Sequence, residues 1–245
     1  MSELRVALVA EGRTDLVVIE AALRAILPRP FVLNMLQPEP TQPKMGQGWG
    51  GVFKWCRAFR GRGASSLQED ATLSFFDLVV IHLDADVAGK SYSDLGTEAA
   101  AQAAGEPPLP CERPCPPPAD TVRELERLLS GWLGAESPDT GAVRCIPSKS
   151  TESWLVAAAF QDRPELLERL ECRTDLEQRL AVLPANRKLR KSERQYRAVA
   201  GKVTQNWHQV TTQCTQAKAF DDAIRGRLAA FASGATERHG GEASA

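Results

Sequence analysis

The chain has 245 residues, 43% of them hydrophobic, and a formal net charge of -1. That is enough apolar material for one large α/β domain, or for a domain with a helical extension. A near-neutral balance excludes a global field for nucleic acid, so such attraction must come from local patches; no apolar run approaches the roughly 18 residues that span a bilayer.

Residues 4–10 (Leu-Arg-Val-Ala-Leu-Val-Ala) predict a buried strand. Residues 14–27 predict a helix, with Leu16, Ile19, Leu23 and Ile26-Leu27 at helical spacing and Pro28 ending it. A second strand is expected over 31–36, a Pro/Gly/Gln-rich loop over 37–51 and a short helix over 52–60. Residues 77–83 predict a third strand, apolar almost throughout, as in a parallel strand covered on both faces. The stretch 105–119 is too rich in proline for regular structure and reads as a linker or inserted loop. An amphipathic helix follows over 120–133, a fourth strand over 142–146 and an apolar helix over 150–160. Residues 163–231 read as helical, and the tail 236–245 as flexible. Strand–helix alternation up to residue 160 predicts a Rossmann-like α/β core (1–160) with a mostly parallel sheet of about four strands flanked by helices, followed by a helical C-terminal extension (161–235).

The first and third strands both run into acidic residues. Glu11-Gly12-Arg13-Thr14-Asp15 follows the first, and Asp84-Ala85-Asp86 the third. Ligands of open α/β sheets bind at the carboxyl ends of the strands. Carboxylates delivered there from two strands suit a hard divalent cation. Gly12 permits a tight turn, and Thr14 is placed to cap the helix while Asp15 complements its dipole. Asp84 and Asp86 alternate on what reads as an extended segment, so both are expected to point one way. His82, inside the third strand, reads as a core or sheet-edge histidine.

This order of motifs resembles the TOPRIM domain of topoisomerases, primases and overcoming-lysogenization-defect nucleases. It is similar above all to the small stand-alone TOPRIM-like proteins of bacterial defence loci. Those carry a later Ser/Lys-rich turn with a Glu before Trp-Leu, matched here by Ser148-Lys149-Ser150-Thr151-Glu152-Ser153-Trp154-Leu155. The resemblance covers roughly residues 4–160. It implies that Glu11 acts as acid/base or metal ligand, that Asp84 and Asp86 bind Mg2+ or Mn2+, and that Asp15 and Glu152 complete a two-ion site. Lys149 would stabilise a pentavalent phosphate. Neither Tyr92 nor Tyr196 lies in a recognisable cleavage domain, and no P-loop is present, so the ATPase half of such nucleases is expected to be absent or on another chain.

Two basic stretches are candidate nucleic-acid contacts. Lys54, Arg57 and Arg60 lie among Trp49, Phe53, Trp55 and Phe59, the mixture of cations and stacking rings that suits a single strand; the same rings can equally be the buried face of a short helix. Arg187, Lys188, Arg190, Lys191 and Arg194 lie in a run opposed by Glu193 alone, which suits a phosphate backbone. The six cysteines are expected to be reduced in a cytoplasmic protein that lacks an export leader. Cys111 and Cys115 make half a zinc site with no second pair to complete it. The function expected is a metal-dependent nuclease of anti-phage or anti-plasmid defence, acting on DNA ahead of RNA, with an ATPase chain and a second copy of itself as further partners. The rivals are a non-catalytic metal- or nucleotide-binding subunit of an ATPase, and a small-molecule phosphohydrolase or nucleotidyl transferase.

Overall fold

A computed structural model describes residues 3–64, 66–134 and 141–240. Four strands, β1 (Leu4–Val9), β2 (Phe31–Gln37), β3 (Leu78–His82) and β4 (Val143–Cys145), form one sheet in the order β2-β1-β3-β4. All pairings are parallel, with Leu8 opposite both Met35 of β2 and Val80 of β3. The α/β expectation and the four-strand sheet therefore hold.

The helices are α1 (Arg13–Ile26), α2 (Gly48–Arg60), α3 (Thr97–Gln102), α4 (Ala119–Leu133), α5 (Glu152–Ala159), α6 (Pro164–Leu167), α7 (Leu176–Ala181), α8 (Glu193–Gln205), α9 (Trp207–Gln213) and α10 (Thr215–Gly240). The two-residue period of the strands splits the core into two layers. Val6, Leu8 and Val80 join α1, α5 and the C-terminal helices on one face. Ala7, Val9, Val79 and Ile81 join α2 and α4 on the other. The C-terminal helices share the first layer, with Tyr196, Val203, Trp207 and Phe220 buried against Trp154 and Leu155 of α5.

Several local expectations change. Gly12, not Thr14, precedes the first turn of α1, and no side chain caps it. The helix α2 starts at Gly48, inside the expected loop, because Gly48 N–H is held by the Glu11 carbonyl at 2.8 Å. The segment 163–231 is broken into short helices with an irregular stretch over 182–192, and Ser192 then caps α8 through the Gln195 N–H. The helix α10 continues to Gly240, into the expected tail. Cys115 and Cys172 form a disulfide, against the expectation of free thiols; the proline-rich stretch folds back onto a turn 57 residues away, a proximity no local pattern announces. Cys111 is free and exposed.

The strand order places the site. After β1 the chain crosses to β2 on one side, then returns to build β3 and β4 on the other, so the carboxyl ends of β1 and β3 form the topological switch point. The β3–β4 ladder also runs on beyond the strands. Leu83 N–H bonds the Cys145 carbonyl, Ala85 N–H the Pro147 carbonyl (both 3.1 Å) and Asp86 N–H the Lys149 carbonyl (3.2 Å). Residues 84–86 and 147–149 are thus held in register by backbone alone.

Candidate functional site

Glu11 and Asp84 meet at the switch point. The Asp84 backbone N–H donates to Glu11 Oε1 at 2.8 Å, which ties the tip of β1 to the tip of β3. Asp15, buried in the first turn of α1, accepts a 2.8 Å hydrogen bond from the Thr151 hydroxyl. His82 Nε2 lies 3.0 Å from Asp84 Oδ1, while its Nδ1 finds no hydrogen-bond partner among the described residues. Asp15, His82 and Asp84 can each offer one ligand atom, all within 4.8 Å of one another. Two carboxylates and an imidazole converging in the interior form a donor set that fits a divalent cation.

Glu152, at the first position of α5 and 1% exposed, faces this group from the other side. The Tyr196 hydroxyl donates to its Oε1 at 2.6 Å, and the Lys191 ammonium lies 3.2 Å from the same atom. Burial opposes ionisation of Glu152, but Lys191 and the surrounding hydrogen bonds outweigh it and lower its pKa. Burial likewise opposes the Lys191 charge, and here the Glu152, Asp15 and Asp84 carboxylates win and raise it. Burial and then Glu152 raise the Tyr196 hydroxyl, keeping it a donor. A cation and a phenol from α8 and its approach thus reach a cluster built on the sheet.

The carboxylates destabilise one another. Burial, followed by Asp15, Glu152 and Asp86, raises Asp84 well above the ordinary range. Burial and Asp84 push Glu11 from 4.5 up to about 8. A carboxyl raised in the folded state binds a proton that the unfolded chain has already released, so stability falls as pH climbs between the two values. Metal-free protein is therefore expected to lose stability from pH 4.5 to about pH 8, with a slope of up to about 1.4 kcal/mol per pH unit from Glu11. Chemical unfolding in chelator across that window checks this, and Glu11→Gln should flatten the profile; an unchanged slope in that variant would remove Glu11 as its source.

Of the residues expected at the site, Glu11, Asp15, Asp84 and Glu152 converge. Asp86 does not join them. Ala85–Val87 form a single 3-10 turn rather than extended chain, so the side chain of Asp86 turns outward to Lys90 at 3.2 Å and stays 44% exposed. Lys149 is buried beside the cluster, with its backbone bonded to Asp86 and its ammonium paired with Glu112. His82 was not expected at the site; the one signal for it is its spacing, two residues before Asp84 on chain that stays extended just past the end of β3. Lys191 belongs to the acidic cluster rather than to a solvent-facing track. Lys188, Arg190 and Arg194 are exposed, while Arg187 pairs with Asp162 at 2.7 Å.

The aromatic-basic segment is not a stacking platform. Trp49, Phe53, Trp55 and Phe59 are buried core of the second layer. Arg57 and Arg60 both turn onto Glu106, whose side chain is 5% exposed, and Lys54 reaches the Lys44 carbonyl at 3.2 Å. The helical period of these rings serves packing, and the cations satisfy a buried carboxylate.

Fold and site together define a doubly wound parallel α/β protein with a buried carboxylate–histidine cluster at its topological switch point. No family model, no curated protein and no solved structure matches the chain. No helix among the described residues is long and apolar enough to cross a membrane.

Proposed function

We propose that the chain is a Mg2+- or Mn2+-dependent phosphodiesterase of TOPRIM-like kind acting on nucleic acid. The observation that carries this reading is the convergence of Asp15, His82 and Asp84 at the switch point, with Glu11 bonded to Asp84 and Lys149 buried alongside. Asp15, Asp84 and His82 would hold the cation, with Glu152 the candidate for a second ion. The ion would activate water and neutralise charge developing on the phosphate. Glu11, which accepts the Asp84 backbone N–H at the strand tips, is placed to move a proton to or from a reacting oxygen. Lys149 supplies a fixed positive charge for a phosphate oxygen.

A second reading, hydrolysis or transfer on free nucleotides, is favoured by one observation. The Lys54–Arg60 segment is spent on internal partners, which leaves less exposed basic surface for a long polyanion. Both readings meet one experiment. Full-length protein is incubated with supercoiled plasmid, single-stranded DNA, RNA and nucleoside triphosphates in Mg2+ or Mn2+, alongside Glu11→Ala and Asp84→Ala. Polynucleotide cleavage by the wild type, reduced at least about a thousandfold in both variants, is the expected result. Turnover of nucleotides alone would select the second reading, and activity persisting in excess chelator would overturn both.

A further inference from the structure

Lys149 is an unusual lysine. Its side chain is 3% exposed, yet its partner is not a core carboxylate but Glu112, whose side chain is 49% exposed and comes from the proline-rich stretch 105–118. A buried ammonium is costly without a counter-charge, so an anion is needed at this position. Here a loop provides it. The hydroxyl of Ser148, the preceding residue, is also buried and has no hydrogen-bond partner among the described residues.

The loop is fastened on both sides of Glu112. Gly89 N–H holds the Pro110 carbonyl at 2.8 Å, and Arg113 N–H bonds the Thr121 hydroxyl at 3.0 Å. Cys115, three residues after Glu112, is covalently joined to Cys172. Prolines restrict the freedom of the segment and favour one path. The covalent link joins the stretch to the turn between α6 and α7, and the ring it closes contains β4, Lys149 and α5.

We propose that residues 105–118 form an inhibitory strap, in which the Glu112 carboxylate occupies the place of a substrate phosphate oxygen at Lys149 and the Cys115–Cys172 disulfide holds it there. The proposal rests on the reading of the centre as a phosphate-handling site. A carboxylate and a phosphate oxygen compete for the same ammonium, and the half-exposed carboxylate is the one that water can help to release. A dithiol reductant opens the strap. It delivers two electrons, the Cys115–Cys172 bond breaks, each sulfur takes a proton, and the reductant closes to its own disulfide.

The test is the acylation of Lys149 by an amine-reactive ester, followed by peptide mass spectrometry. It uses full-length wild type before and after dithiothreitol, Glu112→Gln, which keeps the disulfide, and Cys115→Ser, which loses it. Labelling of Lys149 is expected to rise about tenfold on reduction and in both variants, the ratio that corresponds to losing one charged hydrogen bond, with Lys218 labelling constant. Unchanged Lys149 labelling after verified reduction, or the absence of the disulfide from oxidised protein, overturns the strap. DNA cleavage is followed in the same samples and separates the two ideas. Labelling that responds while no sample cleaves leaves the strap standing and sinks the phosphodiesterase reading. Cleavage that ignores both reduction and Glu112→Gln does the reverse.

Discussion

Asp84→Asn is expected to make the metal-free protein more stable while abolishing its affinity for Mn2+. Asp84 is buried among Asp15, Glu152 and Glu11, and burial followed by the neighbouring negative charges holds its pKa well above the ordinary range. Asparagine keeps the shape, leaves the backbone N–H bond to Glu11 intact and can still bond His82, but removes the charge. Relief of like-charge repulsion in a buried site should contribute about 1–2 kcal/mol at neutral pH. Loss of a charged ligand should weaken Mn2+ binding by at least about a hundredfold. Urea unfolding in chelator and calorimetric titration with Mn2+ read the two effects separately. An ordinary structural carboxylate would behave in the opposite way, losing stability on neutralisation. A destabilised variant with unaltered Mn2+ affinity would therefore remove Asp84 from the site.

The second large effect is expected at Lys191. Its ammonium offsets Glu152, which is 1% exposed and has already been desolvated. Lys191→Ala leaves that carboxylate with only neutral donors, Tyr196 and Ser150 among them, against the negative charges nearby. Breaking a fully buried pair costs about 3–5 kcal/mol, but the Lys191 side chain is 35% exposed and water compensates in part, so a loss of about 2 kcal/mol is expected. The double variant Lys191→Ala/Glu152→Gln should recover most of it, because the stranded charge is gone. Added Mn2+ should rescue the single variant more than it stabilises wild type, since a cation then takes over the role of the ammonium. Equal Mn2+ stabilisation of the two proteins would place Lys191 outside the electrostatics of the centre.

The strands and the acids at their tips were legible because a short, mainly apolar run followed at once by a carboxylate reads as a buried parallel strand delivering an acid at its carboxyl end. Glu11 after β1 and Asp84 after β3 are the clearest cases. Asp86 misled because two-residue alternation assumes extended chain, whereas the backbone tightens into a 3-10 turn as soon as β3 ends. Arg57 and Arg60 misled because Glu106, 46 residues beyond Arg60, was not predictably near. Lys191 reads in the sequence as one of a run of phosphate-facing cations, and Tyr196 only as a tyrosine outside any cleavage domain. Their place in the cluster follows from α8 packing across α1 and α5, a tertiary fact that composition does not encode. His82 reads in the sequence as a core or sheet-edge histidine, and it is buried, with one nitrogen turned to Asp84. The disulfide lay beyond sequence reasoning for a similar reason, since spacing alone does not choose a partner for Cys115.

The hydrogen bond between Thr151 and Asp15 closes a separation of 136 residues, and that between Tyr196 and Glu152 a further 44. Contacts of such range form late, after the chain between them has been ordered. A ribosome releases the chain from its N-terminus, and domains fold as their residues emerge. The acids of β1 and β3 therefore reach the cell well before α8 can bring Lys191 and Tyr196 to Glu152. The buried acids are thus without their ammonium and phenol partners until α8 has been made.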